Sequence, residues 1–525
     1  MDTKLPLPNL IEPLLLPNDP TEEIRLYKEL QQNFVDRYEQ IFMDDLAHKT
    51  VLIIPSFTLD EEILARVDGV QYYEERLLCL LMLLRMPYTR VIYVTSMPID
   101  QAIIDYYIHL LPGITAYHAM QRLTLLSCFD ASKRSLTQKI LERPRLLQRI
   151  KDNIPSTQLS HIACFNVTEL ERTLAVKLHL PIFGCDPDLL YLGSKSMGRK
   201  LFRAANIAIP DGFEDLNTKA DIVDALTRLK TAKPALRKAI VKVNEGFSGD
   251  GNAVFSYHGI PETGELAGWI NDVLPNQLKM VGNDMDYGTF LKKFDEMGGI
   301  AEIFIEGDEK TSPSVQCRIN PTGNVEVLST HDQLLGGESN QVFLGATFPA
   351  NNAYASEIGI LSEKISFELQ KYGVMGRYAI DFISVKNGNA WTHYAIEINL
   401  RKGGTTHPYL MLQFLTRGNY NAADGEYYTA NNQHRYYVCS DNLQQPHYRG
   451  LTPHDMIDIA MVNGLLYDSS TQEGVIFHLI STLSQFGKLG VLCIGTSHDR
   501  ANRFYNKTIE VLDREGKKNM AGLVG

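Results

Sequence analysis

Residues 376–410, GRYAIDFISVKNGNAWTHYAIEINLRKGGTTHPYL, constrain this chain more than any other stretch. Two β-patterned runs, 377–385 and 392–400, flank Lys386-Asn387-Gly388-Asn389, and the Asn-Gly step supplies the positive φ angles of a hairpin turn. Alternate side chains of a strand share a face, so Glu397 and Asn399 point one way and Ile398 the other. Hairpin pairing can bring Asp381 beside them. Two carboxylates and an amide oxygen at one point suit a hard cation such as Mg²⁺, which keeps positions free for water and phosphate. If the strand continues, Arg401 lies on the same side, and its planar fork can hold a phosphate or a carboxylate. Gly403-Gly404-Thr405-Thr406 permits close backbone approach. Glu-x-Asn alone describes a solvated strand end equally well, so the assignment turns on the rest of the chain.

A chain of 525 residues has room for about three domains. The net charge of -11, with no long basic run, argues against a nucleic-acid partner. Seven dispersed cysteines without a CxxC pair fit a reducing cytosol and argue against disulfides or a zinc site. The N-terminus has no basic n-region and is broken by prolines, a poor signal peptide. The longest apolar run, 77–84, is bounded by Arg76 and Arg85; it is too short to span a bilayer and is expected as a buried core helix. No membrane association is expected, and the location is cytoplasmic.

Residues 1–20 form a Pro-rich lead-in, and a helical pattern follows to about 43 with Thr21 as N-cap. Apolar strands at 51–55, 90–94, 122–126 and 161–165 alternate with helical segments, which predicts a parallel sheet covered on both faces. Residues 1–190 are therefore an α/β domain, and neither GxGxxG nor GxxxxGK[ST] is present. A basic helix starts at Gly193-Ser194-Lys195. The strand 239–244 carries Lys242 in an apolar setting, which calls for an anion or for a solvated edge position. Gly246–Gly251 then leads into another strand, 253–258. Strand, Gly-rich loop, strand is a hairpin flap whose backbone amides can converge on phosphates. Further strands lie at 299–306, 315–319 and 325–329, followed by His331-Asp332-Gln333 and a loop at Gly336-Gly337. A helix spans 353–373, and 417–434 is a polar loop. The tail from 435 has helices near 453–463, 475–486 and 498–514 and a strand at 490–494, a small α/β appendage in which His478 is expected as a structural histidine.

Together these features resemble the ATP-grasp ligases over about 191–415: Lys195, Lys242 before the flap, a strand from Glu302 to Glu309, Asp381, and Glu397-x-Asn399, in that order. The resemblance implies an α+β ATP-grasp fold of two subdomains, about 191–298 and 299–434, between the N-terminal domain and the appendage at 435–525. It also implies site roles. Lys195 and Lys242 contact ATP, and the loop with Gly246, Ser248, Gly249 and Gly251 covers the triphosphate. Glu302 with the backbone at Ile303 and Ile305 reads the adenine edge, and Glu309 binds the ribose. Asp381, Glu397 and Asn399 hold two Mg²⁺ ions, or Mn²⁺ in their place. Compared with D-alanine–D-alanine ligases, the arginine two residues before the metal aspartate is replaced by Ala379. Arg377 is the nearest candidate, and Arg401 and Arg318 are the substitutes expected to stabilise the developing oxyanion.

Within that superfamily, SPSVQCRINPTGNVEVLSTHDQLLGG, EINLRKGGTTHPYL and GVIFHLISTLSQFGKLGVLCIGTSHDRANRFY are similar to the pheganomycin-type peptide ligases and their relatives. The implied activity is ADP-forming ligation of a carboxylate to an amine through an acyl phosphate. The partners are small amino-acid or peptide substrates, and a homodimer is the assembly to look for. The alternatives are a non-catalytic ATP-binding protein on the same fold and, further off, an ATP-grasp kinase.

Overall fold

The computed structural model describes residues 19–522 apart from 60, 247–250, 262–263, 282–284, 308 and 337–341. Four parallel strands open the fold, in the order Leu123–Ser127, Thr89–Thr95, Lys49–Ile54, His161–Cys164. The inner strands and His161–Cys164 are almost wholly buried because helices cover both faces, whereas the edge strand Leu123–Ser127 is only partly covered. Val51, Ile53, Val91 and Tyr93 enter one core, while Leu52, Ile54, Ile92 and Val94 enter another. The first of these cores also holds the apolar run Leu77–Leu84. That run lies in the helix Val70–Arg85, wound with 3₁₀-type bonds, between the parallel sheet and the rest of the molecule.

Five antiparallel strands form a second sheet, ordered Gly212–Leu216, Gly299–Ile303, Lys238–Val243, Asn252–Ser256, Leu278–Met280. Ala239, Val241, Val243, Phe255 and Ala301 pack on one side against the helices Lys219–Ala232, Leu266–Gln277 and Tyr287–Met297. The Lys242 strand is therefore interior to its sheet, paired on both edges, and Lys242 is buried rather than solvated.

The third sheet has nine strands. The strand Gly376–Asn387 pairs with Ala390–Asn399 along one edge and with Pro313–Ile319 and Lys310–Thr311 along the other. The sheet continues through Val325–Gly336 and Val342–Phe348 into Tyr436–Gln444, Lys488–Gly495 and Gly474–His478. Its hydrogen bonding thus runs without a break past residue 434 into the tail. Gly345 permits that junction: a Cβ there would stand 2.1 Å from the Cys439 carbonyl oxygen. Gly345→Ala is expected to cost about 1–3 kcal/mol through overpacking. Chemical denaturation will show it, and an unchanged midpoint would mean that the two strands do not meet this closely.

Three local expectations change. Asp19, not Thr21, caps the first helix, accepting from Thr21 N at 2.9 Å. The apolar run expected as a helix at 475–486 divides into the strand Gly474–His478 and a short helix, Leu483–Phe486. The polar segment 417–434 contains a small hairpin, Asn419–Asn421 with Glu426–Tyr428. Among the described residues no helix is long and apolar enough to cross a membrane.

Candidate active site

The hairpin at 376–399 turns at Gly388, whose φ is +62°, and its register sets Asp381 directly opposite Glu397 and Ala379 opposite Asn399. Asp381, Glu397 and Asn399 therefore meet on one face. Asn399 Nδ2 donates to Asp381 Oδ2 at 3.0 Å, and Arg401 Nη2 donates to Asn399 Oδ1 at 3.1 Å. Ser314, on the neighbouring strand, lies opposite Asp381, and Gln333 Nε2 donates to Asp381 Oδ1 at 3.2 Å.

The electrostatics suit a divalent cation. Burial and the adjacent Glu397 charge push the Asp381 carboxyl up to about 6. Burial would raise Glu397 too, but Lys195, with Lys242 and Arg401, holds it below its ordinary value. Lys195 Nζ lies 2.5 Å from Glu397 Oε1. Two neighbouring carboxylates that tolerate each other poorly, with an amide able to turn its oxygen inward, form a hard donor set for Mg²⁺.

Lys195 reaches this point because Ser194 caps the helix Lys195–Ala204, accepting from Met197 N at 3.3 Å. Asn244 fastens that helix to the base of the flap. Its carbonyl accepts from Lys195 N at 3.1 Å, and its Oδ1 accepts from Ser196 N at 2.9 Å. The flap closes at Gly251, φ +85°, whose carbonyl accepts from Val243 N. Ser248 and Gly249 lie outside the described residues.

A cleft of about 490 Å³ joins these parts. Lys195, Gly246, Gly251, Glu397, Asn399 and Arg401 line it, and Asp381 stands one strand behind. The opposite wall is Thr58, Asn166 and Thr168, just beyond the carboxyl ends of two parallel strands, where open α/β sheets offer their crevices. Asn166 ties that wall together by accepting from Thr58 N at 3.0 Å and donating to Thr58 O at 2.7 Å.

The other expected residues sit elsewhere. Glu302 is enclosed between Lys242 and Arg199, each nitrogen 2.6 Å from a carboxylate oxygen, on the face of the second sheet that meets the Lys195 helix. Ile303 ends its strand, donating its N–H to Asp211 O, and Ile305 is buried beyond it. Glu309 is exposed and pairs with Lys386 at 2.9 Å. Arg318 does not join the acids: it lies opposite Arg377 in the register and pairs with Glu326 at 2.5 Å. Sequence reasoning passed over Asn244, Asn166 and Thr58. Gln333 appeared only within a polar triplet whose other members are occupied. His331 is fully buried against the Tyr437 hydroxyl, and Asp332 accepts from Tyr354.

Residues 188–263 and 264–423 match the family described as IQCH-like, ATP-grasp. Over these residues the chain is similar to the ATP-grasp family. Residues 455–508 match the PGM1 C-terminal domain. The chain is 28% identical over 465 residues to L-propargylglycine--L-glutamate ligase of Streptantibioticus cattleyicolor, covering 87% of this chain and 92% of that protein. It is 23% identical over 546 residues to IQ motif-containing protein H of Danio rerio, about half of whose length (51%) it spans. Among solved structures, the β,γ-ATP complex of biotin carboxylase from Campylobacter jejuni superposes with a TM-score of 0.49 at 12% identity, covering 86% of this chain and 88% of that one.

Proposed function

We propose that this protein is an ADP-forming carboxylate–amine ligase acting on amino acids or short peptides. The observation that carries the reading is the meeting of Asp381, Glu397 and Asn399 across one strand pair, with Lys195 and a flap base on the same cleft. The end-to-end likeness to a ligase that joins two amino acids supports the substrate class.

Asp381, Glu397 and Asn399 would hold the divalent ions, which supply charge neutralisation at the β- and γ-phosphoryl oxygens. Lys195 orients Glu397, and Arg401 orients Asn399. A carboxylate oxygen of the acyl donor attacks the γ-phosphorus. The bond from that phosphorus to the β,γ-bridging oxygen breaks, and ADP leaves with the electron pair. The amine nitrogen of the acceptor then attacks the acyl carbon, phosphate leaves, and the nitrogen gives its proton to solvent. The flap and the Thr58–Asn166 wall exclude water, which would otherwise hydrolyse the acyl phosphate.

Incubation with Mg-ATP and pools of amino acids and short peptides should release phosphate and yield an amide of the summed mass less one water. Silence in every pool would remove the ligase reading. Ala379 in place of an arginine favours a second one, a nucleotide-responsive binding protein. It would show thermal stabilisation by Mg-ADP and no product.

A further inference from the structure

A second polar cluster lies where the tail meets the rest of the molecule. Asp441, on the strand Tyr436–Gln444, is buried, and its Oδ1 stands 2.7 Å from His478 Nε2 and 3.2 Å from His407 Nε2. His478 ends the strand Gly474–His478, and His407 sits in the first turn of the helix Thr406–Thr416. Both histidines are 4% exposed. The three ligand atoms lie within 4.8 Å of one another, and the two rings, 4.5 Å apart, cross at 73°. None of the three residues lines the cleft.

A buried carboxylate accepting hydrogen bonds accounts for His478 but not for His407. Among the described residues neither ring nitrogen of His407 has a hydrogen-bond partner, although Nε2 is 3.2 Å from a carboxylate oxygen. A buried polar ring left unsatisfied is costly. Donor atoms that close, yet not aimed at each other, are what a shared cation produces: tetrahedral bonds of about 2.0–2.1 Å set neighbouring ligand atoms about 3.3 Å apart with every lone pair turned to the ion. Two neighbours fit that reading. Gly490 pairs with His478, and a Cβ at 490 would stand 2.1 Å from His478 Nε2, so a glycine there leaves the ring its place. Arg76 Nη2 holds Asp441 Oδ2 at 2.7 Å and so turns Oδ1 toward the histidines, as outer partners of a metal carboxylate do.

We propose that His407, Asp441 and His478 bind a zinc-class divalent cation, with water as the fourth ligand, that fastens the tail to the helix following the Glu397–Asn399 strand. Arg76 offsets the Asp441 charge, which leaves little attraction for a hard ion. Two imidazoles and one carboxylate oxygen suit Zn²⁺, whereas Mg²⁺ and Ca²⁺ call for a shell of oxygens. The site is thus distinct in chemistry as well as in place from the acids of the hairpin. Its ligands come from three separated segments and include no cysteine, so neither the cysteine spacing nor any local pattern announces it.

The test uses the full chain, stripped with a chelator and titrated with Zn²⁺ in excess Mg²⁺. The parent is expected to take up zinc with a Kd below about 1 μM and to gain Tm as it does so. His407→Leu removes a ligand and no hydrogen bond, and His478→Gln keeps a donor for Asp441; each should weaken zinc about a hundredfold or more and abolish the rise in Tm. Glu397→Gln should bind zinc as the parent does. A parent that binds no zinc in this range overturns the proposal. So does parental affinity in both histidine variants, and so does zinc binding lost in Glu397→Gln but kept in His407→Leu, which would put the ion at the hairpin. If His407→Leu does not fold, His478→Gln and the Co²⁺ spectrum of the parent decide. Visible bands of a tetrahedral ion that persist in Glu397→Gln and vanish in His478→Gln support the site, and their absence from the parent overturns it. None of these readings depends on turnover, so the ligase assignment stands or falls by its own assay.

Discussion

Glu397→Gln should lower ligase turnover roughly a hundredfold or more, since charge neutralisation at the transferring phosphoryl group is the largest single contribution this site can make. The effect has two sources. The substitution removes one of two facing carboxylates, and it leaves Lys195 Nζ, now 2.5 Å from Glu397 Oε1, without an anion. It also relieves Asp381, whose carboxyl is held up by burial and by the Glu397 charge. Initial rates of phosphate release at rising Mg²⁺ will show the loss as a lower plateau and a weaker response to the ion. Parental turnover in Glu397→Gln would move the metal site to other residues. Asp381→Asn should match it, because Asp381 and Glu397 are directly opposed across the hairpin.

Glu302→Ala should destabilise the fold by on the order of 3–5 kcal/mol, the range for breaking a buried ion pair from one side. Glu302, Lys242 and Arg199 are each 3–4% exposed, and removing the acid takes from Lys242 its ion-pair partner, while Arg199 keeps Glu214 at 3.1 Å. The cost is that of buried uncompensated charge rather than the net worth of the triad. Replacing all three by apolar residues of similar size should therefore restore much of the loss. Urea denaturation of the single and triple variants measures both. A single variant as stable as the parent would mean that water reaches the triad.

The hairpin at 376–399 was legible because its information is local: an Asn-Gly turn, a period of two on either side, and an acid on each strand, which the bulge between Asp381 and Phe382 brings opposite each other. The parallel strands were legible as continuous apolar runs, since a strand buried on both faces has no alternation to hide. Glu302 was not, because its partner Arg199 lies on a helix about a hundred residues earlier, and nothing in either segment announces the other. Arg318 misled for a related reason. Its strand carries Ser314, Gln316 and Arg318 on one face, but only the register reveals that Ser314 meets Asp381 while Arg318 meets Arg377. Gly474–Phe477 is apolar without alternation and the whole strand to His478 is buried, so periodicity could not separate a strand from a helix. Arg76 was seen only as the boundary of an apolar run, and its bond to Asp441 spans most of the chain.

The unbroken large sheet has a consequence for how this protein can be divided. The strand Val342–Phe348 has Tyr436–Gln444 as its outer neighbour. Cutting the chain between them would bare a row of unpaired amides and carbonyls on a rim with no lysine or proline among residues 342–347 to discourage recruitment of another strand. A truncated form would then acquire a template for self-association, so clumping after removal of the tail would say nothing about whether the tail takes part in chemistry.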